Sequence, residues 1–397
     1  MSSKQQPQFD TVIIRLGGEI GIKAAWTRKF YERHLASNIK ATLKQHVIPY
    51  ETLNRRFGRF FLKTSQAQNA SEKLAKVFGI SSVSPAFETS SKLSDISQHS
   101  VRIAGLMLKE RSSFAVACRR VGEHSYSSQD VCREVGRQIL DTYSKRRLRV
   151  DLKHPEATVY VEVREDKAYV STEVIKGPGG LPLGSQPKIV CLLNEDIKSL
   201  VACWMVMKRG CPIILLHFEE AHSKKEKTTQ TVEAAQALLE WAVGFPRRVY
   251  IVSHSQNTVK TKQKTSAELR QILSKRVMYR VAERIAEMEH AEGIVTGDSL
   301  EDSASTELHV IHLEEEAANR FPIHRPLIGL DASEILGLAE KIRTQEESSI
   351  STKEKRKVTS KLLLGKVTLE QVKDAEAKLP IERMVEASVK SLRTITF

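Results

Sequence analysis

A chain of 397 residues is long enough for two or three domains, each with its own core. Its hydrophobic fraction of 41% and charged fraction of 28% are those of an ordinary soluble protein. No apolar run approaches the roughly 20 residues of a membrane span. The net charge of +14 is unevenly placed: residues 1–186 hold 30 Lys and Arg against 18 Asp and Glu, while 187–397 hold 32 against 30. A basic excess confined to one half predicts a phosphate-backbone footprint there, whereas a lysine-rich proteome would spread it along the chain. Aromatics are only 6% of the residues, which favours shape and phosphate contacts over base stacking on a sheet as the main mode. Cys118, Cys132, Cys191, Cys203 and Cys211 form no C-x-x-C pair, and residues 1–8 lack the apolar core of a secretory leader. Both predict a reduced, cytoplasmic protein.

Residues 11–16 alternate as a strand, and 23–44 carry helical apolar spacing at Phe30, Leu35, Ile39 and Leu43. A strand at 57–62, a helix at 71–78 and a strand at 82–87 follow. This β-α-β-β-α-β-like order predicts a ferredoxin-like unit over 9–87. The pattern restarts at Lys92 with a helix to Glu110, a strand at 114–119 and a helix at 128–144. A hairpin of 158–163 and 168–174, turned at Glu165-Asp166, completes a second α/β unit over 88–176. Four glycines and two prolines crowd the nine residues from Lys176 to Gly184, which can only be loop, so the main boundary is placed at 177–187. Beyond it, 188–193 reads as a buried parallel strand, followed by a helix at 197–208 and a strand at 211–218. Strands at 248–252 and 293–296 alternate with helices at 231–243 and 267–290, which predicts a doubly wound parallel sheet over 188–397. A charged cluster at 353–357 and a helix near 380–392 end the chain. The fold class is α/β and α+β, multidomain.

The loop and the strand after it carry a resemblance. Gly177-x-Gly-Gly-Leu-Pro-Leu-Gly184, then Met207-Lys-Arg-Gly-Cys-Pro212 and Leu216-His-Phe218, resemble the tRNA 4-thiouridine synthetase family. So do Gly18-Glu-Ile-Gly-Ile-Lys23 with Arg28 and Asn38-Ile-Lys40, and Val77-Phe-Gly-Ile80. Met278-Tyr-Arg280, Thr296-Gly-Asp-Ser-Leu300 and Arg325-Pro-Leu-Ile-Gly-Leu-Asp331 extend the likeness over nearly the whole chain. The resemblance implies a ferredoxin-like domain, a THUMP domain and a PP-loop adenine-nucleotide domain. It further implies that the first two hold tRNA, THUMP at the acceptor end, and that the third adenylates a uridine before sulfur delivery. A homodimer is implied as well.

Adenylation needs a glycine-bearing loop between a strand and a helix N-terminus, where backbone N–H groups wrap the phosphates. The family writes Ser-Gly-Gly-x-Asp-Ser at this place. Here it reads Asn194-Glu195-Asp196-Ile197-Lys198-Ser199. Both glycines are replaced by carboxylates, the aspartate is Lys198, and only Ser199 remains. Bulk and like charge oppose a triphosphate. The alternative is a diverged but working site in which Lys198 touches phosphate. Two further departures agree with loss: Glu301 to Glu307 stands where the family has Gly-Gln-x-Ala-Ser-Gln-Thr, and no cysteine follows Cys211, where the family carries a reactive one near 351–360. Without a thiolate there is no persulfide carrier. Cys191, Cys203 and Cys211 read as small buried hydrophobes. The histidines show no ligand spacing, so no metal is expected, and Glu314-Glu315-Glu316 reads as a solvated helix face.

Candidate RNA contacts come from the basic half. Arg119 and Arg120 end a strand, where a guanidinium can fork onto phosphate. Lys145, Arg146, Arg147 and Arg149 close the next helix, where the C-terminal dipole also favours cations. Lys176 lies beside glycines that allow close backbone approach, which packing between domains explains equally well. Lys23 and Arg28 match motif positions and would touch tRNA or cap the helix. The leading expectation is a tRNA-binding, non-catalytic adaptor that needs no cofactor and presents tRNA to a separate tRNA-modification enzyme. The alternatives are an active sulfurtransferase using ATP and Mg with a partner's cysteine, and an enzyme of new activity around Glu195, Asp196 and Lys198.

Overall fold

The computed structural model describes residues 9–220, 225–300, 308–342 and 367–397. The segments 353–357, 351–360 and 301–307 singled out above lie outside them. The chain divides into two compact units, Met1–Leu181 and Pro182–Phe397.

In the first unit the elements run β1 (Thr11–Leu16), α1 (Gly18–Gly21), α2 (Ala25–Gln45), β2 (Thr52–Arg56), β3 (Arg59–Lys63), α3 (Ala67–Leu74) and β4 (Ile80–Ser90). They continue with α4 (Leu93–Met107), β5 (Ser113–Val121), α5 (Ser128–Thr142), β6 (Arg149–Val150), β7 (Ala157–Arg164), β8 (Lys167–Ser171) and β9 (Ile175–Lys176). The two sequence-predicted units are not separate sheets. A single sheet runs β2-β3-β1-β4-β8-β7-β5-β6, with β9 also on β4. The long strand β4 makes the join, pairing with β1 on one side and with β8 and β9 on the other. β2 was not foreseen because its five residues, Thr-Leu-Asn-Arg-Arg, are mostly polar and exposed. It is held by a hairpin turn at Phe57-Gly58, both at positive φ, as a tight two-residue hairpin requires.

The main apolar core lies on one face of the sheet, and a smaller cluster of Ile13, Phe61, Ala86 and Tyr169 lies on the other. Val12 and Ile14 of β1, Leu35, Ile39 and Leu43 of α2, Val131 and Ile139 of α5, and Val159, Val161 and Val163 of β7 share the main core. Alternation along each strand sends every second residue there and the others to the opposite face. Glycine is required where the chain re-enters beside β4: a Cβ on Gly177 would stand 2.4 Å from the carbonyl oxygen of Ile80.

The second unit runs β10 (Ile189–Leu192), α6 (Ile197–Lys208), β11 (Ile213–Glu219), α7 (Lys225–Leu239), β12 (Arg248–Ser253), α8 (Ser255–Lys264), α9 (Ala267–Glu289) and β13 (Ile294–Val295). Then come α10 (Leu308–Glu315), β14 (Ile323–His324), α11 (Ala332–Ile342), α12 (Leu369–Ala377), α13 (Ile381–Lys390) and β15 (Arg393–Thr396). Strand order is β14-β13-β10-β11-β12-β15. The first five are parallel, as the apolar runs predict. The sixth, β15, is an antiparallel edge strand on β12, as doubly wound sheets often carry. The chain moves outward from β10 to β12 and returns to β13, so the topological switch point lies between β10 and β13. Open parallel sheets take ligands in the crevice at that point, beyond the carboxyl ends of the strands.

Candidate nucleic-acid interface and nucleotide loop

The loop after β10 enters the switch point and becomes the first turn of α6. Asp196 is the N-cap: its Oδ1 accepts the Ser199 amide N–H at 2.7 Å. The Ser199 hydroxyl accepts the Asn194 amide at 3.0 Å and lies within hydrogen-bond reach of the Asn194 and Asp196 carbonyl oxygens at 3.2 and 3.1 Å. Thus an amide that a glycine loop would turn toward phosphate is satisfied by the chain's own carboxylate. From the other side of the switch point, Gly297 presses so closely that a Cβ there would stand 2.6 Å from the Ser199 nitrogen. Glu195 and Lys198 are half-buried in the same loop. The loop thus commits one N–H to Asp196 and carries a second carboxylate, Glu195, beside it, charges that oppose a triphosphate.

Behind the loop lies a buried charged cluster that the sequence reading missed. Lys275 Nζ stands 2.6 Å from Asp298 Oδ1 and 3.2 Å from Glu314 Oε2. Thr296 Oγ1 donates to Asp298 Oδ2 at 2.7 Å, and Arg325 Nη1 pairs with Glu315 at 2.7 Å. Glu314 is 0% exposed, which corrects the solvated-face reading of residues 314–316. Glu316 is engaged too, by Arg276 and Lys373. Burial pushes the Glu314 carboxyl up to about 7, against the pull of Lys275. Burial also lowers His217, whose Nδ1–H donates to the Leu193 carbonyl at 2.9 Å and so leaves Nε2 as the unprotonated nitrogen. Cys191 and Cys203 are buried as expected, but Cys211 is half-buried in the turn before β11. Burial raises the Cys191 and Cys211 thiols, the opposite of activation.

The basic residues of the first unit divide in two. Arg119 and Arg120 lie near the carboxyl end of β5 and, as neighbours on a strand, point to opposite faces. Arg119 is exposed. Arg120 is committed to the following turn, donating to Gly122 O at 2.8 Å and to His124 Nδ1 at 3.3 Å, while His124 Nε2–H donates to Glu165 O at 2.6 Å. The two therefore cannot grip one phosphate together.

Lys145, Arg146, Arg147 and Arg149 do not close the helix as expected. α5 ends at Thr142, a 3-10 turn covers Ser144–Arg146, Arg147 is left-handed, and Arg149 opens β6. Lys145, Arg147 and Arg149 are exposed. Arg146 donates to the Gly105 carbonyl of α4 and to that of Leu108, the residue just past its end.

Strand register decides which clusters are neighbours. Arg149 pairs with Ser113 at the start of β5, six residues before Arg119, which separates them by roughly 20 Å along the strand. That end of β5 lies at the same end of the sheet as the carboxyl end of β1, followed by Lys23 and Arg28, and as Lys176, which pairs with Ser82 of β4. From β6 to β1 is five strand steps, or about 24 Å measured along the sheet. Lys23, Arg28, Lys176, Lys145, Arg147 and Arg149 therefore follow strand ends at one end of the sheet, while Arg119 pairs in register with Glu162 of β7, the carboxylate that Arg15 and Arg59 reach.

Comparison with known proteins places these units. Residues 11–84 match the ThiI ferredoxin-like domain, 91–173 the THUMP domain, and 184–381 the thiamine biosynthesis protein (ThiI) model. A probable tRNA sulfurtransferase of Methanosarcina acetivorans is 34% identical, covering 98% of this chain and 94% of that protein. One from Saccharolobus islandicus is 35% identical over 95% and 98%. Among solved structures, a 4-thiouridine synthetase in complex with RNA and bound ATP superposes with a TM-score of 0.82 at 26% identity, covering 98% of this chain and 100% of that one. PH1313 from Pyrococcus horikoshii aligns with a TM-score of 0.66 at 28% identity, over 84% and 99%. The chain belongs to the tRNA sulfurtransferase family, built of ThiI ferredoxin-like, THUMP and ThiI domains.

Proposed function

We propose that this chain binds tRNA through its first unit and serves as a non-catalytic adaptor, presenting tRNA in the cytoplasm to a separate modification enzyme. The basic end of the sheet, the THUMP match and the RNA held by a solved relative support tRNA as the partner; in this reading the acceptor end is the part engaged. The observation that carries the non-catalytic half is the Asp196 cap on the Ser199 amide, in a loop with no glycine between Asn194 and Ser199. No ATP and no Mg enter this reading.

A second reading is an active sulfurtransferase that makes 4-thiouridine with ATP, Mg and a partner's cysteine. The similarity over nearly the full length to proteins named tRNA sulfurtransferase favours it. The test has two steps. Modified nucleosides in tRNA from a deletion strain are surveyed by mass spectrometry. Purified protein is then incubated with cysteine desulfurase, labelled cysteine, ATP and unmodified tRNA. The adaptor reading expects a modification to vanish from the deletion strain and no thiouridine to form in the tube. Labelled sulfur in tRNA would install the second reading in its place.

A further inference from the structure

The connection from α1 into α2 exposes two large apolar side chains within five residues: Ile22 is 84% exposed and Trp26 is 77% exposed. Single exposed hydrophobics are common, but a nearly bare tryptophan beside a nearly bare isoleucine leaves apolar area uncovered without a partner in the fold. The other two tryptophans are placed differently. Trp204 is 4% exposed and Trp241 half-buried, edge to face at 5.5 Å in the second unit.

The segment around Trp26 is mainly basic, flanked by Glu19 on one side and by Glu32, buried and paired with Arg55, on the other. Residues 20–31 contain Lys23, Arg28 and Lys29 and no acid. All three cations are exposed, and among the described residues none of them makes an ion pair. The segment follows β1 directly, at the end of the sheet where Lys176 also lies. An exposed aromatic side chain in a basic segment matches one ligand chemistry well: a nucleobase out of its stack, attached to phosphates on either side. A protein partner of this surface would need an acidic rim, and a second copy of the chain would bring like charges together.

We propose that Trp26, backed by Ile22, is a stacking platform for an unpaired RNA base, with Lys23, Arg28 and Lys29 neutralising the flanking phosphates. This rests on the reading of the first unit as a tRNA-binding unit and adds a contact to single-stranded RNA that the basic strip alone does not supply. It adds one stacked base to the expectation of shape and phosphate contacts as the main mode.

The test uses the full-length protein, a short RNA duplex with an unpaired overhang and the same duplex blunt-ended. Wild type should prefer the overhang, and its tryptophan fluorescence should be quenched on binding it, since Trp26 is the exposed fluorophore. Trp26→Ala should lose about tenfold in affinity for the overhang, within the range for one stacked base, and nothing for the blunt duplex. Trp26→Phe should keep most of the affinity, and all variants should melt like wild type because the side chain is exposed. Equal affinity of Trp26→Ala and wild type for the overhang would overturn the platform while leaving tRNA binding intact. A change of oligomeric state in Trp26→Ala by light scattering would assign the patch to a protein contact instead. Failure of wild type to bind tRNA at all would remove the underlying reading and the platform with it.

Discussion

Arg146 closes the carboxyl end of α4 from a distance in sequence: its Nη1 donates to Leu108 O at 2.7 Å and to Gly105 O at 2.9 Å. The same guanidinium lies 4.4 Å from the Tyr143 ring centroid. A helix leaves its last carbonyls unsatisfied, and here a cation from the next helix–strand connection supplies the donors. Arg146 therefore belongs to the fold, while its neighbours Lys145, Arg147 and Arg149 face solvent.

That division gives opposite mutational signatures. Arg146→Ala should cost about 1–3 kcal/mol of stability, from two charge-assisted hydrogen bonds and a ring contact. Lys145→Ala with Arg149→Ala should leave the melting temperature unchanged. It should weaken tRNA binding and reduce the slope of log affinity against log salt by about two charge equivalents. A double variant with the wild-type salt slope would remove these residues from the RNA surface.

The sequence made the strands and helices with strong apolar period legible: β1, α5, α6, β11 and α9 fall within a few residues of expectation. What it hid was placement. That β4 joins both N-terminal units into one sheet depends on its pairing with β8, a contact between residues about eighty positions apart that no local pattern encodes. β15 was hidden because Arg-Thr-Ile-Thr is short and polar and gains its place only as an edge strand on β12. The loop at 194–199 was legible because glycine loss is a local fact. The Asp196 cap was in principle legible too, from an Asx residue three positions before Ser199 at a helix start. Glu314 was not, since a run of three glutamates has no sequence mark for the one that turns inward to Lys275.

Glu314 should make stability fall as pH rises. Its carboxyl is raised to about 7 in the fold and returns to the ordinary carboxylate range on unfolding, so the unfolded chain loses this proton first. The contribution is whole below about pH 4 and is lost as pH climbs through 7. Glu314→Gln, which keeps the shape without the charge, should flatten the profile between about pH 5 and 8. It should gain on the order of 1–3 kcal/mol relative to wild type at the alkaline end, less what Lys275 loses. Urea unfolding across that range reads it. Parallel profiles for the two proteins would show that Lys275 already cancels the burial cost.

Glu376 should behave in the reverse sense. Burial opposes its charge, but hydrogen bonds from Arg276 and Arg280 outweigh burial and hold the carboxyl down to about 2. A depressed carboxylate stabilises above its unfolded pKa and loses that contribution as pH falls toward 2. Glu376→Gln should be destabilised by about 2–4 kcal/mol at pH 7, because Arg276 is almost fully buried and would lose much of its compensation. The gap between variant and wild type should close near pH 2. A gap that persists in acid would point to lost packing between α9 and α12 rather than lost charge.

The loop prediction decides most about function. ATP that binds the folded protein must stabilise it by RT ln(1 + [L]/Kd), which is roughly 2.7 kcal/mol at a hundredfold excess over Kd, a shift that a melting curve resolves. The Ser199 amide is already capped by Asp196, and Glu195 adds a second carboxylate to the loop. Millimolar ATP should therefore leave the melting temperature unmoved. Mg²⁺ should be tested alongside, because it can bridge a carboxylate and a phosphate. Asp196→Ala alone should cost about 1 kcal/mol, as the loss of a helix cap does, without creating ATP affinity. Asn194→Ser, Glu195→Gly, Asp196→Gly and Lys198→Asp together restore the family's loop; tRNA binding should be unchanged, since the proposed determinants belong to the other unit. If the wild-type protein shows a clear ATP-dependent shift, the carboxylates must swing aside to admit phosphate, and the sulfurtransferase reading replaces the adaptor.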